Sequence, residues 1–361
     1  MRLAFCNATK AWGGVKTWTL EFAGALRARG HDIVIYGREG KFIERARSMG
    51  LPAEAVNFGP DYNPFAIRFF TRSFRSRRVQ AVLVNVGRDL RTAGVAARLL
   101  GLPLVQRIGL PGDLRNAFSV RFGNRILRPH YLFPCFFNRD GFLANLPFVD
   151  AARCTVIHSA KVPAAAAPER VSRPLRLVST SQLNADKGHA ELMRVLAKLR
   201  GEGVDFTWDV AGTGRCSEEL ARLAEELRLA DRITWHGFIQ DVPAILDSCD
   251  VFVLPSYSEG LPNTLLEAMA RGLVPVARGV GGIAEVWPES LAALLASPFP
   301  RDGSRLEPIL RAVFSASDAE LLAWKKAARE ACVTNFSLDT QSEKLDAYFR
   351  ELISPGKTPA L

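Results

Sequence analysis

No stretch of this sequence reaches the ~18 consecutive apolar residues that a membrane-spanning helix needs, although 48% of its 361 residues are hydrophobic. The opening, Met1-Arg2-Leu3-Ala4-Phe5-Cys6-Asn7, turns polar too soon for a secretory signal, which requires a longer apolar run and a small-residue cleavage site. The six cysteines (Cys6, Cys135, Cys154, Cys216, Cys249, Cys332) are scattered with no CxxC pair. That argues against a disulfide framework and a zinc site, and leaves buried thiols. No repeat of solenoid period is present. The expectation is a cytosolic chain whose membrane contacts, if any, are peripheral.

What is there fits a globular protein. A charged fraction of 23% with this apolar content excludes a mostly disordered chain, a collagen-like fibre and a small disulfide scaffold. At about 150 residues per domain the length suggests two domains. The net charge of +10 is unevenly spread: residues 1–168 hold 25 Lys+Arg against 10 Asp+Glu, and residues 169–361 hold 22 against 27. The first part therefore addresses something anionic.

Short apolar runs alternate with amphipathic helical stretches throughout. Strand patterns fall at Leu3–Asn7, Asp32–Tyr36, Ala81–Val86, Leu104–Arg107 and Thr155–Ile157, then at Leu175–Thr180, Thr207–Ala211, Ile233–His236, Val251–Leu254 and Val274–Ala277. Helical patterns lie at Val15–Arg29, Pro64–Arg78, Arg91–Leu100, His189–Leu199, Ser217–Leu227 and Asn263–Arg271, with a terminal helix over Phe336–Leu352. Near-continuous apolar strands alternating with helices predict parallel sheets covered on both faces. The Pro/Ala stretch from Lys161 to Pro168, and the polar run on to Pro174, read as an interdomain linker. The tail after Ser354 is expected to fray.

The most informative segment runs from Pro255 to Ala270, PSYSEGLPNTLLEAMA. It follows an apolar strand and opens a helix, with Pro262 suited to the first helical position. The backbone N–H groups of Asn263, Thr264 and Leu265 then point out of the helix start, where the helix dipole favours an anion such as a diphosphate. Glu259 and Glu267 frame that site, and carboxylates suit the vicinal hydroxyls of a sugar and a ribose. Anion and two polyols side by side describe a nucleotide sugar.

This segment resembles the Glu-x7-Glu signature of retaining GT-B glycosyltransferases of the family four (group one) type. The resemblance continues through Lys187-Gly188-His189, Ala211-Gly212-Thr213-Gly214, His236-Gly237-Phe238 and Arg278-Gly279-Val280-Gly281-Gly282-Ile283-Ala284-Glu285, covering about residues 175–290. It implies an α/β fold of GT-B type: two Rossmann-like, doubly wound parallel-sheet domains facing an interdomain cleft. These would be an acceptor-binding domain at 1–165, a nucleotide-sugar-binding domain at 170–335, and a terminal helix over 336–353 crossing back to the first domain. It further implies that Glu267 holds the ribose, Glu259 the donor-sugar hydroxyls and Lys187 the diphosphate. The loop of Gly237 and Phe238 would lie against the base, with Gly212, Gly214 and Gly260 also lining the donor site. Retention of configuration and no required metal or cofactor follow from the resemblance, and the sequence contains no Asp-x-Asp triplet.

In the first half, Ala11-Trp12-Gly13-Gly14-Val15-Lys16 resembles the family's Gly-Gly loop, where glycines let backbone approach phosphates and acceptor. Gly13, Gly14 and Lys16 are the candidates there. The sequence also departs from the family. Gln182 stands where an Arg is usual, and Gln donates a hydrogen bond without charge. Ile108 stands where a His commonly lines the reaction centre, with Arg107 and Asp113 as neighbouring replacements. Val156-Ile157-His158-Ser159-Ala160 replaces a common Pro-Asn-Gly.

Two basic, Phe-rich stretches, Pro64–Arg78 and Arg115–Arg128, suit an anionic membrane surface. Nucleic acid is a rival without a supporting motif, and sheet-packing helices with Arg on the solvent face are the plainer alternative. The sequence therefore predicts a glycosyltransferase moving a sugar from a nucleotide-sugar donor to a glycan or lipid-linked acceptor, with bacterial lipopolysaccharide, capsule or another envelope glycan in view. The alternative is a catalytically silent relative that binds sugar or acts as a scaffold. A nicotinamide dehydrogenase is set aside because no GxGxxG follows the first strand. An epimerase would not explain the Glu259/Glu267 pairing.

Overall fold

In the first strand, β1 (Arg2–Asn7), five successive residues from Leu3 to Asn7 are buried. A strand apolar on both faces needs cover on both, and helices supply it. The structure, a computed structural model, describes residues 1–239 and 241–354; the tail from Pro355 lies outside the described residues. The chain divides into two units, one of Met1–Ser159 with the residues from Leu338 onward, the other of Ala160–Ser337.

The first unit continues with β2 (Asp32–Gly37), β3 (Ala53–Ala55), β4 (Ala81–Val84), β5 (Leu104–Arg107), β6 (His130–Phe133) and β7 (Cys154–Val156). They form one parallel sheet in the order β3-β2-β1-β4-β5-β6-β7. The helices Gly14–Ala28 and Pro64–Ser76 bury Trp18, Phe22 and Leu26, and Phe70 and Phe74, respectively. The last helix, Leu338–Ile353, belongs to this unit: Phe349 packs on Phe5 with ring centroids 6.1 Å apart, and Asp346 Oδ1 lies 2.9 Å from His31 Nε2.

The second unit holds β8 (Leu175–Thr180), β9 (Phe206–Ala211), β10 (Ile233–Gly237), β11 (Val251–Leu254), β12 (Val274–Arg278) and β13 (Leu295–Ala296), all parallel in the order β10-β9-β8-β11-β12-β13. In each sheet the chain winds outward one way and then the other. Each therefore has a switch point at its carboxyl edge, between β1 and β4 in one and between β8 and β11 in the other. The Pro/Ala stretch expected as a linker is held within the second unit: Ala164 N–H donates to Ala270 O at 2.9 Å, and Pro168 lies against Gly272.

Three strands escape the sequence pattern. β3 and β13 have three and two residues, too few for periodicity. β6 follows Arg128-Pro129 directly and reads as part of the basic stretch.

Candidate active site

The loops that leave β8 and β11 meet at the switch point of the second unit. Ser181–Gly188 follows β8 and closes in a short turn at Ala185–Lys187. Gly188 has φ +72°, and a Cβ there would fall 2.3 Å from Pro255 O. Only glycine lets the two loops press together this closely. Tyr257 N–H donates to Asp186 O at 2.8 Å. As a result Lys187 Nζ reaches Glu259 Oε1 at 2.8 Å and Ser258 O at 3.4 Å, with both side chains largely enclosed. Two candidates separated by 71 residues in the sequence form one ion pair.

The helix Asn263–Ala270 begins beside them. Pro262 is its N-cap, one position earlier than expected, with φ −72° and ψ 120°. No side chain caps this start, so the first N–H groups, from Asn263 to Leu265, remain available to a ligand. Asn263 and Thr264 are half-buried and Leu265 is in the core. One turn on, Glu267 Oε1 accepts from Lys161 Nζ at 2.9 Å. The Lys161 side chain is buried, and its backbone is held by Lys161 N–H donating to Phe336 O at 3.1 Å. Sequence reasoning missed Lys161, because a lone lysine before Val-Pro carries no local signal.

A third loop closes against Glu259. Gly281 has φ +62° and sits where a Cβ would be 2.0 Å from Glu259 O, while Gly282 N–H donates to Gly260 O at 2.7 Å. Gly281→Ala is expected to push the Glu259 loop aside and destabilise the fold by about 1–3 kcal/mol; a lowered midpoint in urea unfolding checks this.

Gly212 and Gly214 serve close packing of the chain on itself. Their added Cβ atoms would fall 1.9 Å from Ser181 O and 2.2 Å from Leu183 O, and Gly212 N–H donates to Gly237 O at 2.8 Å. They hold the ends of β8, β9 and β10 together. Gln182 is exposed, with its Oε1 accepting from Asn184 Nδ2 at 3.1 Å. A Cβ added at Gly237 would meet nothing within 4 Å, and Phe238 is exposed on the surface. The histidines nearby are structural. His189 stacks on Trp208, with burial and the nearby Lys187 charge pushing its pKa down to about 4, so it is neutral. His236 Nε2 lies 2.6 Å from Asp209 Oδ1.

Behind the site, Arg278 is fully buried and its guanidinium meets Glu191 Oε1 at 2.5 Å. It also donates to the carbonyls of Ser297, Pro298 and Pro300 and lies over the Tyr257 ring. This pair backs the loop that carries Glu259. Arg278 was visible in the sequence only as part of a motif, and Glu191 not at all.

In the first unit Gly13 and Gly14 are exposed at the uncapped start of the helix Gly14–Ala28. Lys16 is not solvated: it folds inward, donating to Lys10 O at 3.1 Å and lying over Phe42. Burial, then Arg38, lower its pKa. Arg107 closes β5 and lies over the Trp18 ring, 4.6 Å from its centroid. Asp113 Oδ2 accepts from Gly109 N–H at 2.8 Å and Leu110 N–H at 2.9 Å, shaping that loop. Ile108 continues the ladder of β5 through its N–H to Leu132 O and buries its side chain with Tyr131, Phe133 and Phe142. The position expected to carry a histidine is therefore a core position here. His158 N–H donates to Gln341 Oε1 at 3.0 Å.

These loops coincide with a known pattern. Residues 174–302 match the family model for glycosyl transferases group 1. A curated relative, the putative colanic acid biosynthesis glycosyltransferase WcaL of Escherichia coli K12, is 31% identical over 188 residues, which are 50% of this chain and 46% of that protein. The match thus spans less than half of the relative's length. Among solved structures, a glycosyltransferase from Rickettsia africae ESF-5 superposes with TM-score 0.82 at 18% identity, covering 98% of this chain and 99% of the other. Anabaena Alr3699/HepE in complex with UDP-glucose gives TM-score 0.78 at 17% identity, covering 97% of this chain and all of that one. The fold is GT-B, and the family match together with the fold supports a group 1 glycosyltransferase.

Proposed function

We propose that this chain is a retaining glycosyltransferase that moves a sugar from a nucleotide-sugar donor to a glycan or lipid-linked acceptor in the building of a bacterial envelope glycan, lipopolysaccharide or capsule. One observation carries the reading: Lys187 and Glu259 form an ion pair at the switch point of the second unit, where α/β sheets bind ligands, in a segment that matches the group 1 family. The solved neighbour bound to UDP-glucose and the relative named for colanic acid support the choice of donor class and pathway class.

In this reading Glu267, oriented by Lys161, takes the ribose hydroxyls and Glu259 those of the donor sugar. The diphosphate sits on the N–H groups from Asn263 to Leu265, with Lys187 beside it. When the bond from the anomeric carbon to the phosphate oxygen breaks, the electron pair stays on that oxygen, and Lys187 and the helix start stabilise it. The acceptor hydroxyl oxygen attacks the same face of the anomeric carbon, and its proton passes to the departing phosphate oxygen. Gln182 contributes a neutral donor where the family usually has a cation.

The test is a panel of nucleotide sugars followed by nucleotide release, with and without acceptor. Release that depends on one donor and rises with acceptor is expected. Equal binding without release would instead identify a silent sugar-binding relative. The reading assigns no metal to the step, so EDTA treatment should leave the rate unchanged; a loss restored by Mg²⁺ or Mn²⁺ would overturn that part.

The acceptor is proposed to lie at an anionic membrane surface, with the chain cytoplasmic and peripheral. Among the described residues no helix is long and apolar enough to cross a membrane. The helix Pro64–Ser76 divides its phenylalanines, burying Phe70 and Phe74 while Phe65 stands 83% exposed beside Arg68 and Arg72. On the helix Phe118–Leu127, Phe118 and Phe122 stack on each other in solvent near Arg121 and Arg125. Sedimentation with anionic vesicles should succeed at low salt and fail at high salt, because screening shortens the reach of these charges. No pelleting at low salt would overturn this assignment.

A further inference from the structure

Arg107 is a buried cation that makes no ion pair among the described residues. Its residue is 6% exposed, and among the described residues nothing accepts a hydrogen bond from its guanidinium. Asp113 is near enough to act on its charge but makes no ion pair with it, and its Oδ2 accepts from two backbone N–H groups. The Trp18 ring beneath it supplies only a π face. Burial lowers the Arg107 pKa to about 10, which leaves it charged near neutrality. An arginine presents five N–H donors in a planar fork, and burying that fork unpaired is costly. None of its nitrogens is wholly enclosed, and this small accessible edge is where a ligand could meet the fork.

The neighbourhood shows what the open edge faces. Trp18 lies one turn beyond Gly14 on the same helix, and helical side chains lean toward the N-terminus. The guanidinium laid on that ring therefore sits by the exposed, uncapped first turn at Gly13 and Gly14. Both features stand at the carboxyl edge of the first sheet. The fork matches a phosphate or carboxylate bidentately, and the helix start adds N–H groups of the same preference.

We propose that Arg107, stacked on Trp18 at the open start of the helix Gly14–Ala28, receives an anionic group, phosphate or carboxylate, on the acceptor. The assignment of that anion to the acceptor rests on the glycosyltransferase reading above. It narrows the acceptor to a phosphorylated or uronic-acid-bearing glycan and separates this anion site from the donor diphosphate site in the other unit.

The experiment measures the melting temperature of the full chain with glucose 6-phosphate, glucuronate or glucose at equal ionic strength, for wild type, Arg107→Met, Arg107→Lys and Lys187→Ala. At least one anionic sugar should raise the wild-type Tm while glucose does not, and the two anions tell phosphate from carboxylate. Arg107→Met should weaken that anion at least about tenfold, Arg107→Lys should retain part of the effect, and Lys187→Ala should retain it. Without ligand, Arg107→Met should be as stable as wild type or more so, because it removes an unpaired charge. Neither anion shifting the wild type, an undiminished shift in Arg107→Met, or a shift lost only in Lys187→Ala would overturn the proposal. The nucleotide-sugar panel is run in parallel: if none of its members binds while the anion shift tracks Arg107, the functional reading falls and the anion site stands.

Discussion

Lys187→Ala is expected to lower kcat for sugar transfer about a hundred- to a thousandfold, the loss seen when one preorganised donor to a developing oxyanion is removed. Gln182, at the position where a second cation is usual, is neutral and exposed, so in the proposed mechanism the charged part of leaving-group stabilisation at these two positions falls to Lys187. Its contact with Glu259 Oε1 at 2.8 Å makes the two effects interdependent. Lys187→Ala also frees the carboxylate that is proposed to hold the sugar, and Glu259→Gln frees the ammonium. The double variant should therefore lose less than the product of the single losses, a coupling that a double-mutant cycle reads directly. Steady-state kinetics on the four proteins check the scheme. Lys187→Ala with unchanged kcat would remove the mechanism, and strictly multiplicative losses would remove the coupling.

The second unit was legible where its chemistry is local and obscure where it is assembled across the chain. Pro255–Ala270 announces strand, loop and helix start in consecutive residues, and the structure differs only in placing Pro262 at the cap. The glycines are visible in the sequence, but the contacts that require them are not. At Gly212, Gly214 and Gly281 the close neighbour is another loop's backbone, and no sequence window contains that partner. Lys161 and Glu191 show the same limit in side chains. Each becomes meaningful only through a residue about ninety or more positions away, Glu267 for one and Arg278 for the other. The first unit was harder still. The sequence marks Arg107 and Lys16 as candidate contacts with no sign of their burial, and both side chains are buried. A solvent-seeking residue type gives no hint of being buried until the packing of Trp18 and Phe42 against it is known. The position of Ile108 follows the same logic, since its side chain completes a core whose members lie on β6 and on the helix Phe136–Asn145.

Glu191→Ala is expected to cost about 3–5 kcal/mol of stability, the range for removing one partner of a buried ion pair. The guanidinium of Arg278 is wholly enclosed, and among the described residues its carboxylate contact is Glu191 Oε1, at 2.5 Å. The same oxygen accepts from Gly303 N–H at 3.0 Å, so the substitution orphans a backbone donor as well. Urea unfolding should show the midpoint falling with little change in slope. The double substitution Glu191→Leu with Arg278→Met removes both charges and should recover most of the loss, since well-packed apolar pairs often match buried ion pairs in stability. Function should not recover with it. Arg278 lies over Tyr257, whose N–H is bonded to Asp186 O next to Lys187, so the apolar pair removes the cation that backs this loop. The double variant should therefore fold like the wild type yet bind donor more weakly, by roughly tenfold or more if Lys187 or Glu259 moves by a fraction of an ångström. A donor KM equal to that of the wild type in the refolded double variant would show that the buried pair serves stability alone.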